Sequence, residues 1–158
     1  MALEVTASAM VPAAPERVFE LLADTARYSE WVTGTDAVTR TDGPAREGST
    51  YDEVNPILGP WRAKTHWRVV EHEPPRRTRH ETGDIPLSSQ FVVVMEVAPE
   101  GDGSRVTLTL RGEPTLGPIG SAFAALMKGQ VERDNRRSVE AFAELATREL
   151  GAAASPRA

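Results

Sequence analysis

The sequence predicts an α+β fold in which seven antiparallel strands form a curved sheet around a long C-terminal helix, with two short helices between strands 1 and 2. Three observations predict it. Between residues 35 and 114 the chain reads as short strands separated by turn residues, with no helix among them. From Pro118 onward the pattern changes: Ile119, Phe123, Met127, Val131, Val139, Phe142 and Ala146 recur at three-to-four-residue spacing, the signature of one helix face. Glu132, Arg133, Arg136, Arg137, Glu140 and Glu144 fall largely on the opposite face. Run to Leu150, such a helix is about 45–50 Å long at 1.5 Å per residue. That exceeds what a small domain accommodates unless strands wrap it, and a curved sheet gripping a helix tends to leave a hollow.

The elements follow in order. Leu3, Val5, Ala7, Ala9 and Val11 alternate with Glu4, Thr6, Ser8 and Met10 as a half-buried strand. Pro12 ends it, and Pro15 suits a first helical turn. Val18, Phe19 and Leu22 give that short helix an apolar face, and Asp24 is a candidate cap for a second helix from Thr25 to Trp31, closed by Gly34. Strand segments are expected at about 36–42, 49–56, 60–72, 77–83, 88–98 and 104–112. Asp42-Gly43-Pro44, Asn55-Pro56 to Gly59-Pro60, Pro74-Pro75, Gly83-Asp84 and Glu100-Gly101-Asp102-Gly103 punctuate them. Short spacing without intervening helices means an antiparallel meander rather than βαβ units.

Composition narrows the function classes. The chain has 158 residues, which suits one domain, expected over 1–150 with a flexible tail at 151–158. The absence of cysteine removes disulfide and thiolate chemistry. Net charge is -5 and no basic cluster is interleaved with aromatics, so no nucleic-acid partner is expected. The N-terminus lacks the basic and apolar regions of a signal peptide, and no apolar run approaches the roughly 18 residues of a membrane span. A cytoplasmic protein without a membrane partner is the expectation; a homodimer is left open. Aromatics make up only 6% of the residues, so few large side chains are available to fill a wide interior.

Strand parity selects the inward residues. In 60–72 the odd set, with Trp61, Ala63, Thr65, Trp67 and Val69, is the better inner face. A hairpin at 73–76 then sets Arg68 opposite Glu81 as an outward ion pair and turns Thr78, His80 and Thr82 inward. Phe91, Val93, Met95 and Val97, then Val106, Leu108 and Leu110, form the inner series of the last strands. For 49–56 the inward choice is Tyr51, which brings Glu53 to the hollow; the alternative is Glu53 solvated at a strand end. His66, His72, Arg62, Lys64, Arg68, Arg77 and Arg79 make a basic outer face, read as solvated surface.

In this order the chain resembles the START-like (Bet v 1-like, SRPBCC, helix-grip) superfamily, and within it the polyketide cyclase/dehydrase group. The resemblance spans about residues 4–147. It rests on residues 14–22 (APERVFELL) leading through Asp24 and Tyr28 to Trp31, on Gly48-Ser49-Thr50-Tyr51, on residues 69–77 (VVEHEPPRR), and on Gly103-Ser104-Arg105-Val106. It implies a deep apolar cavity between sheet and helix that binds lipids, sterols, polyketides or other hydrophobic small molecules, with cyclisation or dehydration in some members. It supplies no universal catalytic signature, so site residues come from parity alone.

His80, inward near Trp67 and Val69, is one catalytic candidate. Desolvation favours its neutral form, which takes a proton and returns it as an aldol-type cyclisation requires; the alternative is a wall histidine bonded to Thr or Tyr. Glu53 is the other, because a carboxylate in an apolar cleft has a raised pKa. Tyr51 and Thr65 are candidates for bonding a substrate carbonyl, or are structural. Trp61 and Trp67 offer flat apolar surface. Phe91, Met95, Phe123 and Met127 line the same space, or are core. The resemblance puts Trp31 at the cavity mouth, where it either meets ligand or packs a hinge. Gly117, Gly120, Ala122, Ala124, Ala125 and Gly129 thin the first half of the helix, either to leave ligand room or to allow close contact. Asn135 is either a buried polar contact or a cap. The histidines lack metal spacing and there is no HExxH, GxSxG, P-loop or GxGxxG, so neither metal nor cofactor is expected. The leading expectation is a pocket for a hydrophobic, aromatic or polyketide- or lipid-like small molecule, acting as enzyme or carrier; a co-chaperone-like interaction module is the competing class.

Overall fold

The computed structural model describes residues 2–151; Met1 and residues 152–158, which hold nearly all of the expected tail, lie outside the described residues. The expected strands are β1 (Leu3–Val11), β2 (Ala37–Thr41), β3 (Thr50–Leu58), β4 (Trp61–Glu73), β5 (Arg77–Thr82), β6 (Ser88–Glu100) and β7 (Gly103–Pro114). They form one antiparallel sheet in the order β1-β7-β6-β5-β4-β3-β2. Between β1 and β2 lie α1 (Pro15–Leu22), a single 3₁₀ turn (Thr25–Arg27) and α2 (Tyr28–Trp31). The long helix, α3 (Pro118–Ala146), continues into a π-helical turn at Thr147–Gly151. Its 29 residues span about 43 Å. This is the helix-grip arrangement.

Alternation in the sequence becomes alternation in burial. Val5 and Val11 of β1, Trp67 and Val69 of β4, Met95 and Val97 of β6, and Val106 and Leu108 of β7 are buried on the face toward α3. Val139, Phe142, Leu145 and Ala146 close the core from the C-terminal half of α3, while its expected polar face stays in solvent. The first and last strands are adjacent: Leu3 pairs with Gly112 and Val11 with Ser104. Where they meet, a Cβ on Gly103 would stand 2.4 Å from the Val11 carbonyl oxygen, and the buried Ser104 hydroxyl donates to the Ala13 carbonyl at 2.7 Å. The Gly103-Ser104 pair therefore seals the turn from β1 into α1.

Several local expectations change. Arg68 does pair with Glu81 in register, but the Glu81 carboxylate is occupied by Arg79 at 3.0 Å and Gln90 at 2.7 Å. A register shift between Val69 and Glu71 is a β-bulge, and one extra residue reverses parity beyond it. His72 consequently leaves the outer face and packs on Phe19, ring centroids 5.3 Å apart. Three cations of the remaining basic face meet acids: Arg62 with Asp36 at 2.6 Å, Arg79 with Glu81, and Arg77 with Glu71 at 3.3 Å. Asp24 stands at the start of the 3₁₀ turn without a side-chain capping bond; the Thr25 hydroxyl instead bonds Thr41 and the Gly43 carbonyl.

Ile119 is 68% exposed rather than inward. Its neighbour Gly120, about 100° further round the helix, takes the buried position against the loop at Thr115. A Cβ there would fall 1.5 Å from the Thr115 carbonyl oxygen, whereas one on Gly129 would meet only the Arg133 guanidinium at 3.4 Å. Gly120 thus serves close contact, and Gly129 does not. Chemical denaturation separates them: Gly120→Ala is expected to destabilise by about 1–3 kcal/mol, and Gly129→Ala to stabilise by about 0.5–1 kcal/mol.

Candidate functional site

A cavity of about 230 Å³ lies between the sheet and the first half of α3. Tyr51, Glu53 and Asn55 of β3 and Trp67 of β4 form one wall, and Phe91, Val93 and Met95 of β6 with Leu108 and Leu110 of β7 form the floor. Phe123, Ala124, Met127 and Val131 of α3 cover it, with Tyr28 and Trp31 from the helical insert and Ile85, Pro86 and Leu87 from the β5–β6 loop completing the lining. The C-terminal half of α3 is packed into the core, while its first half meets the hollow through Phe123, Ala124, Met127 and Val131, each only partly buried. Two hydrogen bonds fix α3 to its neighbours beside the cavity, the Thr33 amide donating to Ser138 Oγ at 2.9 Å and Asn135 Nδ2 donating to the Leu108 carbonyl at 3.0 Å.

Of the residues singled out from sequence, Trp31, Tyr51, Glu53, Trp67, Phe91, Met95, Phe123 and Met127 line this one cavity. Three do not. Trp61 sits at the β3–β4 hairpin tip, opposite Leu58, and is 45% exposed. Thr65 is buried beneath the wall, donating to Asn55 Oδ1 and accepting from Trp67 Nε1 at 2.9 Å. His80 is fully buried behind Tyr51.

Glu53 is 4% exposed and accepts from Asn55 Nδ2 at 2.9 Å. Burial pushes its carboxyl up to about 7, against the opposing hydrogen bonds of Asn55, Thr35 and Trp67. A carboxyl so placed exchanges its proton near neutrality. His80 behaves oppositely: burial, then the nearby His72, lowers it to about 3, so it is a neutral imidazole. Its Nδ1 is 2.7 Å from the Tyr51 hydroxyl and its Nε2 3.0 Å from the Thr78 hydroxyl. Thr78 donates to the Glu71 carbonyl at 3.1 Å, an oxygen that only accepts. It therefore accepts from His80 Nε2–H, which leaves Nδ1 bare to receive the Tyr51 proton. The Tyr51 oxygen is left with lone pairs for anything beside it.

The fold and this cavity frame the comparisons with known proteins. The family model described as "Polyketide cyclase / dehydrase and lipid transport" matches residues 2–147. The chain belongs to this family. An uncharacterized protein of Mycobacterium tuberculosis, Rv1546, is similar at 31% identity over 142 residues, 87% of this chain and 94% of that one. A protein of the same organism named Toxin Rv0910 is similar at 30% over 138 residues, covering 84% and 93%. Among solved structures, the Zhui aromatase/cyclase from Streptomyces sp. R1128 superposes with a TM-score of 0.82 over 99% of this chain and 100% of that one, at 15% identity, a likeness of fold.

The sequence pattern did not single out Tyr28 or the polar groups of α3 as parts of this wall. Tyr28 and Trp31 are three residues apart on the insert, a spacing that sets both on one helix face. Their rings meet edge to face at 5.5 Å. Asp134, with Gln130 and Ser138 at i±4, runs a polar strip along the cavity side of α3 that the apolar count concealed. Among the described residues no group of three His, Cys, Asp or Glu converges to hold a metal, and no helix is long and apolar enough to cross a membrane.

The two buried titratable groups give opposite pH slopes. Glu53, raised from 4.5 to about 7, contributes stability below pH 4.5 that is lost as pH rises through 7, because the folded chain holds the proton longer. His80, lowered from 6.5 to about 3, contributes stability above pH 6.5 that is lost as pH falls. Glu53→Gln removes the first slope alone. Its unfolding free energy is expected to rise relative to the parent by roughly 3 kcal/mol between pH 4.5 and 8, measured by urea titration at each pH; parallel curves contradict the raised carboxyl.

Proposed function

We propose that this protein binds a hydrophobic, ring-bearing small molecule of polyketide type in the cavity, and that Glu53 performs acid/base chemistry on it. The observation that carries this reading is a single buried carboxyl, poised near neutrality, on the wall of an otherwise mostly apolar space of about 230 Å³. Ionised, Glu53 removes a proton from carbon next to a carbonyl; protonated, it returns that proton to a departing hydroxyl. Cyclisation and dehydration are built from those two transfers. The Tyr51–His80–Thr78 chain holds the neighbouring phenol in one orientation, so His80 acts through Tyr51 and not on the ligand.

A carrier role is the second reading, favoured by the sequestering of His80 and Thr65 behind the wall, which leaves Glu53 as the one fully buried carboxyl on the lining. The family description names both cyclases and lipid transport, in keeping with either. An interaction module gains little from the outer strands, whose cations largely face carboxylates.

Native mass spectrometry of the purified protein is expected to reveal a co-purifying hydrophobic compound. Ala124→Trp fills the cavity from α3 and is expected to weaken that compound by at least about tenfold, roughly 1.4 kcal/mol, with unchanged circular dichroism. Glu53→Gln is expected to abolish turnover while affinity survives; turnover equal to the parent's removes Glu53 from the chemistry, and binding without turnover in the parent assigns the protein to the carrier reading.

A further inference from the structure

We infer that the cavity selects an uncharged oxygen-bearing ligand, a ring ketone or its enol, and rejects the carboxylate or phosphate of the same shape. The inference rests on reading the cavity as a ligand site and deepens it.

Three observations on the wall lead there. First, its only ionisable acids and bases are acids. Among the described residues no Lys, Arg or His lines the cavity, while the carboxyls of Glu53 and Asp134 do. An anion drawn out of water here meets no counter-ion, and an unpaired buried charge is among the most costly things a protein site can hold. Second, Tyr51 has no proton to give. Its hydroxyl is committed to His80 Nδ1, because the Thr78 proton is committed to the Glu71 carbonyl. An anion beside Tyr51 therefore meets lone pairs.

Third, two donors of the helical insert are unspent. Tyr28 Oη and Trp31 Nε1 are buried without a hydrogen-bond partner, and both side chains belong to the cavity lining. Leaving a buried donor unpaired is unfavourable and rare in folded proteins. Two such donors on one short helix, beside the same space, suit an acceptor oxygen that arrives with the ligand. Both are neutral, since burial and the nearby Glu53 hold the Tyr28 phenol well above its ordinary value. They bond a carbonyl oxygen without supplying the charge that a carboxylate or phosphate needs. Next to them, Glu53 is the matching acceptor for an enol proton. The wall thus carries donors for one oxygen and an acceptor for the adjacent hydrogen, a pattern that a ketone in equilibrium with its enol fulfils.

The test is a matched set of probes: 2-acetonaphthone, 2-naphthoate, which replaces the ketone's methyl by a charged oxygen, and unsubstituted naphthalene. Binding is followed by calorimetry and tryptophan fluorescence at pH 8. The ketone is expected to bind at least about tenfold more tightly than the carboxylate. Tyr28→Phe is expected to weaken the ketone several-fold while leaving naphthalene unchanged, and Glu53→Gln to narrow the gap between ketone and carboxylate. Lowering the pH to 5.5, where Glu53 holds its proton, narrows the same gap. Naphthoate binding as well as the ketone, with naphthalene also bound, overturns the selectivity and leaves the ligand site standing. No binding by any of the three overturns the ligand-site reading and this inference with it.

Discussion

A continuous chain of aromatic rings holds the sheet and the long helix apart, and the cavity depends on it. Phe142 of α3 meets Trp31 at 5.0 Å, Trp31 meets Tyr28 at 5.5 Å, Tyr28 meets Tyr51 at 5.4 Å, Tyr51 stacks on Trp67 at 6.2 Å, and Trp67 meets Phe91 at 6.3 Å. Both tyrosines, two of the three tryptophans and two of the four phenylalanines are committed to this chain. Aromatic contacts of this kind are directional and bury much surface per residue, so a few rings define a rigid strut where many aliphatic side chains would fill the gap. Scarcity of aromatics and the existence of the hollow are two aspects of one design: the rings prop the sheet from the helix, and the partly buried Phe123, Ala124, Met127 and Val131 of α3 do not fill what lies between.

The same strut explains why the chemistry gathers on β3. Tyr51 needs a hydrogen-bond partner once it is buried, and His80 supplies it. Glu53, two residues along the same face, is carried into the apolar space by strand parity, and its elevated proton affinity follows from burial. Asn55, the next inward position, bonds Glu53 and the Gly34 carbonyl with one amide. One stretch of alternation thus places a ring, a carboxyl and an amide on the wall, and ties the end of the helical insert to the sheet.

Much of this was legible in the residues. Strand positions, hairpin registers and the inward side of β3, β6 and β7 follow from period-two alternation, because a strand offers only two faces. The helical insert was marked by Pro15 and by apolar spacing. What escaped is what parity does not encode. The bulge at Val70 has no composition cue, so His72 was assigned to the wrong side. Depth is equally silent: parity turns His80 inward but does not choose between a catalytic histidine and a wall histidine bonded to Thr or Tyr, and the structure shows the second, with Tyr51 and Thr78 as its partners. Tyr28 and Asp134 were hidden because each looks like an ordinary surface residue until its helix is docked. Ile119 was lost to a neighbouring glycine whose burial is set by a loop.

The sheet order carries a consequence for how the chain is made. β1, synthesised before the other strands of this sheet, has β7 as its hydrogen-bonding neighbour, with Val5 opposite Leu110. Until some hundred further residues have been translated, the nascent strand has no partner, and its alternating apolar edge is exposed to any other strand it meets. Pairings this distant in sequence close slowly. Chaperone demand during synthesis, and aggregation of fragments truncated before β7, are thereby written into the topology.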